Sequence, residues 1–179
     1  MKLYSFFFYI EYGIITLGEY MLRTILINKN NKIKNSYYQK VNFITTKDID
    51  NKYVQIEEET YKAYLKLSEF LKSININIGI ESAYRSLEDQ RETYKEIVEL
   101  YGKNYADKIV APVGASEHHT GLALDIAVKL NDKYNTNDLN QVQENTFKII
   151  HKYLKDYGFI LRYPEGKEAV TGYPYEPWH

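Results

Sequence analysis

From Ile74 to Glu81, isoleucine occupies every second position, with Asn75, Asn77, Gly79 and Glu81 in between. A period of two puts all four isoleucines on one side, which is the signature of a β-strand with one buried face. The flanking segments repeat differently. Glu57–Lys72 carries Tyr61, Tyr64, Leu65, Leu67 and Leu71 at helical spacing. Glu57, Glu58 and Glu59 sit in its first turn, where the helix dipole favours negative charge. Ser86 followed by Asp89 is a capping-box signal. The helix it opens has Tyr94, Ile97, Val98 and Tyr101 on one face and Gly102 as its stop. Leu122–Val128 alternates and reads as a second strand. A helix from about Leu139 to Tyr157 closes at Gly158. Phe159–Tyr163 reads as another strand, and Thr24–Ile27 as a short one before the polar loop Asn28–Asn35. Helices and strands mix without a βαβ repeat. The expected fold is therefore α+β, a small, largely antiparallel sheet flanked by helices.

The chain has 179 residues, enough for one domain with a real core. That domain is expected over residues 24–179. Residues 1–23 form an N-terminal apolar segment. Its run from Leu3 to Ile10 is far short of the roughly 20 residues that span a bilayer. It reads as a poorly formed export signal or anchor, or as an upstream extension before a start at Met21. With 23 basic and 24 acidic residues the net charge is -1, which supplies no field to hold nucleic acid. No glycine-rich phosphate loop appears, so nucleotide binding is not expected. Cysteine is absent, which removes disulfides, thiolate nucleophiles and cysteine-bound zinc. The remaining nucleophiles are a hydroxyl, a carboxylate or an activated water.

Chemistry-bearing residues concentrate in Ser116-Glu117-His118-His119-Thr120-Gly121-Leu122-Ala123-Leu124-Asp125. On the expected strand Asp125 shares its face with Ala123 and Ala127. A carboxylate among methyl groups is costly unless it is paired or binds a cation. A continuous strand would put His118 on the opposite face, but Gly121 allows a turn that swings it back. Imidazole and carboxylate are good zinc ligands, and catalytic zinc usually has three protein ligands plus water. His179, in Tyr175-Glu176-Pro177-Trp178-His179, would be the third, with Glu176 as general base. Residue types alone leave a second description open: a structural histidine beside a glycine turn, a salt-bridged aspartate and a frayed chain end.

Four segments in order resemble the VanY-type D-alanyl-D-alanine carboxypeptidases. This group belongs to the zinc peptidases that also include VanX dipeptidases, phage endolysin peptidases and the hedgehog amino-terminal domain. The pattern S-x-H-x-x-G-x-A-x-D is met by Ser116, His118, Gly121, Ala123 and Asp125, and E-x-W-H by Glu176, Trp178 and His179. An upstream S-x-Y-R-S followed by Gln is met by Ser82, Tyr84, Arg85, Ser86 and Gln90. Tyr157–Pro164 and then Thr171-Gly172 also resemble the subfamily. The likeness covers about Ser82 to His179 well and reaches back weakly to about Ile25.

The resemblance implies a hedgehog/D,D-peptidase-like zinc fold, with zinc held by His118, Asp125 and His179 and Glu176 as the catalytic base. Arg85 would stabilise the oxyanion or pair with a substrate carboxylate. Ser116 and Gln90 would hydrogen-bond the substrate, and Tyr84 and Trp178 would pack or line the cleft. His119 is expected at the rim, and His151 facing solvent on the late helix. The implied reaction is hydrolysis of a terminal D-Ala–D-Ala-like bond in peptidoglycan stem peptides or precursors. That substrate points to the cell envelope, although the export signal leaves the cytoplasm open. Family members usually continue for a strand beyond the last histidine. The expectation is thus a domain truncated at its carboxyl end, with the α-carboxylate within reach of the metal. Two further readings are an endolysin-like peptidase cutting L-Ala–D-Glu, and a catalytically silent module that binds zinc or muropeptide.

Overall fold

The structure is a computed structural model that describes residues 8–10, 13–15, 24–135 and 139–179. Backbone strands β1 (Phe8–Ile10) and β2 (Gly13–Ile15) pair antiparallel. Otherwise the expectations for residues 1–23 lie outside the described residues. Among those described, no helix is long and apolar enough to cross a membrane.

After a single turn, α1 (Asn35–Tyr38), strands β3 (Phe43–Lys47) and β4 (Tyr53–Glu57) form an antiparallel hairpin. Its loop closes on Asp48, whose Oδ1 accepts from the N–H groups of Asp50 and Lys52, both at 2.9 Å. Glu57 then caps α2 (Glu58–Ser73), accepting from the Thr60 N–H at 2.7 Å and the Thr60 hydroxyl at 2.8 Å. This cap satisfies a helix N–H that has no partner within the helix.

The central sheet has the order β5 (Ile78–Ser82), β6 (Asp125–Leu130), β7 (Lys133–Asn135), all antiparallel. Between β5 and β6 lie α3 (Leu87–Tyr101) and α4 (Lys103–Ile109), then a 3-10 turn over Glu117–Thr120. The capping box of Ser86 and Asp89 opens α3. A second box, Asn140 with Gln143, opens α5 (Gln141–His151). A 3-10 turn (Leu154–Tyr157) and the one-turn helix α6 (Glu168–Thr171) follow.

The core lies where α2 and α5 cover the sheet. Leu67 and Leu71 from α2, Phe147 and Ile150 from α5, and Ile78, Ile80, Ile126 and Val128 from the strands are all buried in it. Burial of each such side chain contributes about 1.5–3 kcal/mol.

Several boundaries differ from the sequence reading. Ile74 and Asn75 belong to the end of α2, donating to the carbonyls of Leu71 and Lys72, so the isoleucine strand starts only at Ile78. Leu122–Leu124 precede β6 because Gly121, at φ 73°, has just reversed the chain. The expected long helix breaks after His151 into the separate 3-10 turn. Thr24–Ile27 is not a strand, although Ile27 is buried. Phe159–Tyr163 is not a strand either; among the described residues its ladder pairing is the single bridge of Tyr163 to Glu176.

Candidate active site

The site is assembled at the end where β5 and β6 meet the last residues of the chain. Beyond β5, the Ala83 carbonyl accepts from Nδ1 of His118 at 2.6 Å, which leaves Nε2 of that ring facing Asp125. His118 stands in the 3-10 turn, and Gly121 ends that turn in the left-handed region. A Cβ at Gly121 would clash with Phe43 Cε1, so space and backbone both require glycine there. The reversal brings Asp125, the first residue of β6, beside His118, with Oδ2 3.2 Å from Nε2. The final segment is pinned along β6 by the Ile126 N–H, which donates to the Trp178 carbonyl at 3.1 Å. His179 thereby places Nδ1 2.8 Å from Oδ1 of Asp125.

One donor atom from each of His118, Asp125 and His179 lies within 4.8 Å of the others. Two imidazole nitrogens and one carboxylate are a fitting donor set for a catalytic divalent ion such as zinc. Each imidazole also has its other nitrogen engaged, His118 by the Ala83 carbonyl and His179 by Glu117 Oε2 at 3.2 Å. Such outer contacts orient a metal-binding ring. Burial works against the charge on Asp125, but the charge and hydrogen bonds of His118 and His179 hold its carboxyl well below the usual range. Burial also works against a charged His179, yet hydrogen bonds to Asp125 and Glu117 push it up to about 9. In the metal-free protein this ring therefore carries its proton at neutral pH, and a cation at Nδ1 must displace it.

Glu176 lies alongside, with Oε2 3.9 Å from Nδ1 of His179. Its carboxyl is pushed up to about 7, chiefly by burial. Asp125 and Glu117 add to the shift, against the opposing charges of His179 and Arg85. A carboxyl near neutrality suits proton transfer. Arg85 is braced by Gln90 Oε1, 3.2 Å from Nη1, and by Ser82 Oγ, 3.3 Å from Nη2. Gln90 is buried, and its own amide donates to the Ala111 carbonyl at 2.7 Å. Both ends of this side chain thus serve the protein, and it bears on the site through Arg85. Ser116 is buried at the start of the 3-10 turn. Tyr84 packs against Phe43 and Tyr38, and Trp178 against the core.

Three polar residues take places that the sequence reading did not foresee. His119 is not at the rim but 0% exposed, with Nδ1 donating to the Arg85 carbonyl at 2.7 Å and Nε2 accepting from the Gly114 N–H at 3.1 Å. Burial lowers its pKa, so the neutral ring joins the arginine segment to the turn at Gly114. His151 is half-buried and donates through Nε2 to the Pro177 carbonyl at 2.8 Å, tying α5 to the final segment. Glu117 stands in the chemistry-bearing segment but had no expected role. It accepts from Nε of Arg162 at 2.6 Å as well as from His179. Burial raises its pKa, but these two partners outweigh that and keep it ionised. Its neighbour His118 marked the segment, but Arg162 and His179 are brought to it only by folding. The main-chain oxygen of His179 is itself engaged, accepting from the Arg162 N–H at 3.2 Å.

A cavity of about 710 Å³ opens on the Glu117 side of His179, walled by α2, Leu124, Phe159 and Trp178, while Arg85 and Glu176 lie outside its wall.

Comparison with known proteins identifies the family. The VanY family model, D-alanyl-D-alanine carboxypeptidase, matches residues 53–179. YodJ of Bacillus subtilis (strain 168) is 34% identical over 166 residues, which cover 86% of this chain; the chain spans only 57% of that relative's length. Among solved structures, a mutant of the vancomycin-resistance D,D-pentapeptidase VanY from a VanB-type cassette, in complex with Zn(II), superposes with TM-score 0.69 at 25% identity, covering 88% of this chain and 85% of its own. The LD-carboxypeptidase LdcB, whose structure concerns peptidoglycan recognition, gives TM-score 0.67 at 30% identity, covering 98% of this chain and 82% of its own. The chain belongs to the VanY family of D-alanyl-D-alanine carboxypeptidases.

Proposed function

We propose that this chain is a zinc-dependent D,D-carboxypeptidase that removes the last residue from peptidoglycan stem peptides or precursors ending in D-Ala–D-Ala. The observation that carries the reading is the meeting of His118, Asp125 and His179 around one point, with Glu176 beside them. Those three side chains would hold zinc, which supplies Lewis-acid polarisation of the scissile carbonyl and a more acidic water. Glu176 takes the proton from the attacking water and returns it to the departing amine as the carbon–nitrogen bond breaks. The Arg85 charge acts on the Glu176 carboxyl, and a guanidinium has five N–H donors, of which two are held by Gln90 and Ser82. The others are available to offset charge on the carbonyl oxygen or to receive the terminal carboxylate. Ser116, buried at the start of the turn that carries His118, would hydrogen-bond the substrate. That substrate class supports a site of work at the cell envelope.

A second reading has specific support, because LdcB matches nearly the whole chain. On that reading the bond cut joins an L- to a D-residue. The deciding experiment loads the protein with zinc and offers two stem peptides, one ending in D-Ala–D-Ala and one ending in an L–D bond. Release of D-Ala from the first alone is expected. Preferential cleavage of the second would move the assignment to the L,D class. Zinc uptake with cleavage of neither would leave a silent binding module.

A further inference from the structure

We infer that Glu117 is a positioning residue that turns the His179 imidazole so that its Nδ1 faces His118 and Asp125. The inference rests on the metal reading above.

The ring of His179 is held on three sides. Its Nε2 lies 3.2 Å from Oε2 of Glu117. The Tyr163 ring packs against it, 4.8 Å between centroids. Its main-chain oxygen accepts from the Arg162 N–H at 3.2 Å. Glu117 is braced in turn. Arg162 Nε donates to Oε1 at 2.6 Å, and the Tyr163 hydroxyl lies 3.4 Å from Oε2. The Arg162 guanidinium also lies 5.0 Å over the Tyr163 ring. These side chains are mostly buried, with the carboxylate of Glu117 14% exposed and His179 7%.

The chemistry follows from what each group can do. An ionised carboxylate only accepts hydrogen bonds, so Nε2 must carry hydrogen. When a neutral imidazole has its proton on Nε2, its lone pair is on Nδ1, the atom 2.8 Å from Asp125. Without Glu117, only the Asp125 contact at Nδ1 is left to set the ring's orientation, and a ring turned about its Cβ–Cγ bond would carry Nδ1 away from the other donors. Arg162 balances the charge of Glu117 on the side away from the metal ligands.

A bland alternative is that Glu117 serves only to neutralise Arg162. Zinc titration against a chromophoric chelator separates the two, with circular dichroism as the check on folding. Wild type, Glu117→Ala, and the double variant Glu117→Ala with Arg162→Met are compared. Glu117→Ala is expected to weaken zinc binding by about 10–100-fold, the usual cost of losing such an outer partner. The double variant leaves no charge unpaired and is expected to keep that loss. Wild-type affinity in Glu117→Ala, or recovery in the double variant, overturns the inference. If Glu117→Ala does not fold, Glu117→Met keeps the side-chain length without an acceptor and decides instead: a loss beyond replicate error supports the inference and an unchanged affinity overturns it. Absence of zinc binding by the wild type would instead overturn the metal reading, and this inference with it.

Discussion

His179 Nδ1 lies 2.8 Å from Oδ1 of Asp125, a contact between residues 54 positions apart. With Glu117 on the other nitrogen, it lifts the imidazole pKa to about 9 despite burial. The unfolded side chain titrates at ~6.5. A raised pKa adds stability that is complete below the unfolded value and is lost as pH rises through the folded one. The metal-free protein should therefore melt at progressively lower temperature as pH rises from about 7 to about 9. Zinc affinity should rise over the same range, because the proton on Nδ1 must leave first. Thermal melting with a chelator, paired with calorimetric zinc titration, checks both slopes. A flat melting temperature would mean that no proton is shared there.

Replacing Glu176 with glutamine should leave zinc content unchanged and lower turnover by about 10²–10⁴-fold, the contribution of a positioned proton-transfer group. The wild-type rate should fall on the acid side as Glu176 gains its proton. In the metal-free protein that carboxyl sits at about 7, so a nearby cation, which favours the ionised form, puts the acid limb at or below that value. Normal peptide release by Glu176→Gln would remove the proposed base.

Gln90 holds Arg85 at one end of its amide and the Ala111 carbonyl at the other. Gln90→Ala should cost about 1–3 kcal/mol, since a buried acceptor loses its donor. It should also raise KM through a less constrained guanidinium, with zinc content unaltered. Urea denaturation and steady-state kinetics measure the two effects separately.

Tyr173 is buried, and its hydroxyl has no hydrogen-bond partner among the described residues. Tyr173→Phe removes that orphan donor while preserving the ring that packs on Tyr163. The variant should be as stable as wild type or gain about 1 kcal/mol. A loss of stability in denaturant would show that the hydroxyl is satisfied in solution.

The elements that could be read along the chain are those whose causes are local. Ser86 with Asp89, and the apolar stripe of α2, act within a few residues, and the structure has both. The β3–β4 hairpin escaped because its burial does not alternate cleanly: Tyr53 is 77% exposed, whereas Ile56 and the adjacent Glu57 are both buried. The strand expected at Phe159–Tyr163 had an apolar run but, among the described residues, a ladder bridge only at Tyr163, and pairing is a property of two segments. His119 had no sequence mark separating it from an exposed neighbour; its place follows from the carbonyl of Arg85, 34 positions away.

The sequence by itself determined which atoms are available for chemistry. It contains no thiol, it carries His118 and Asp125 across a glycine that permits a reversal, and it has Glu176 three positions before His179. Tertiary structure alone decided which nitrogen of each imidazole faces inward. That choice depends on the Ala83 carbonyl and the Glu117 carboxylate, reached across 35 and 62 positions. Hydrogen-bond direction at a ring acts over about 3 Å, and only folding brings groups so distant in the chain within that range.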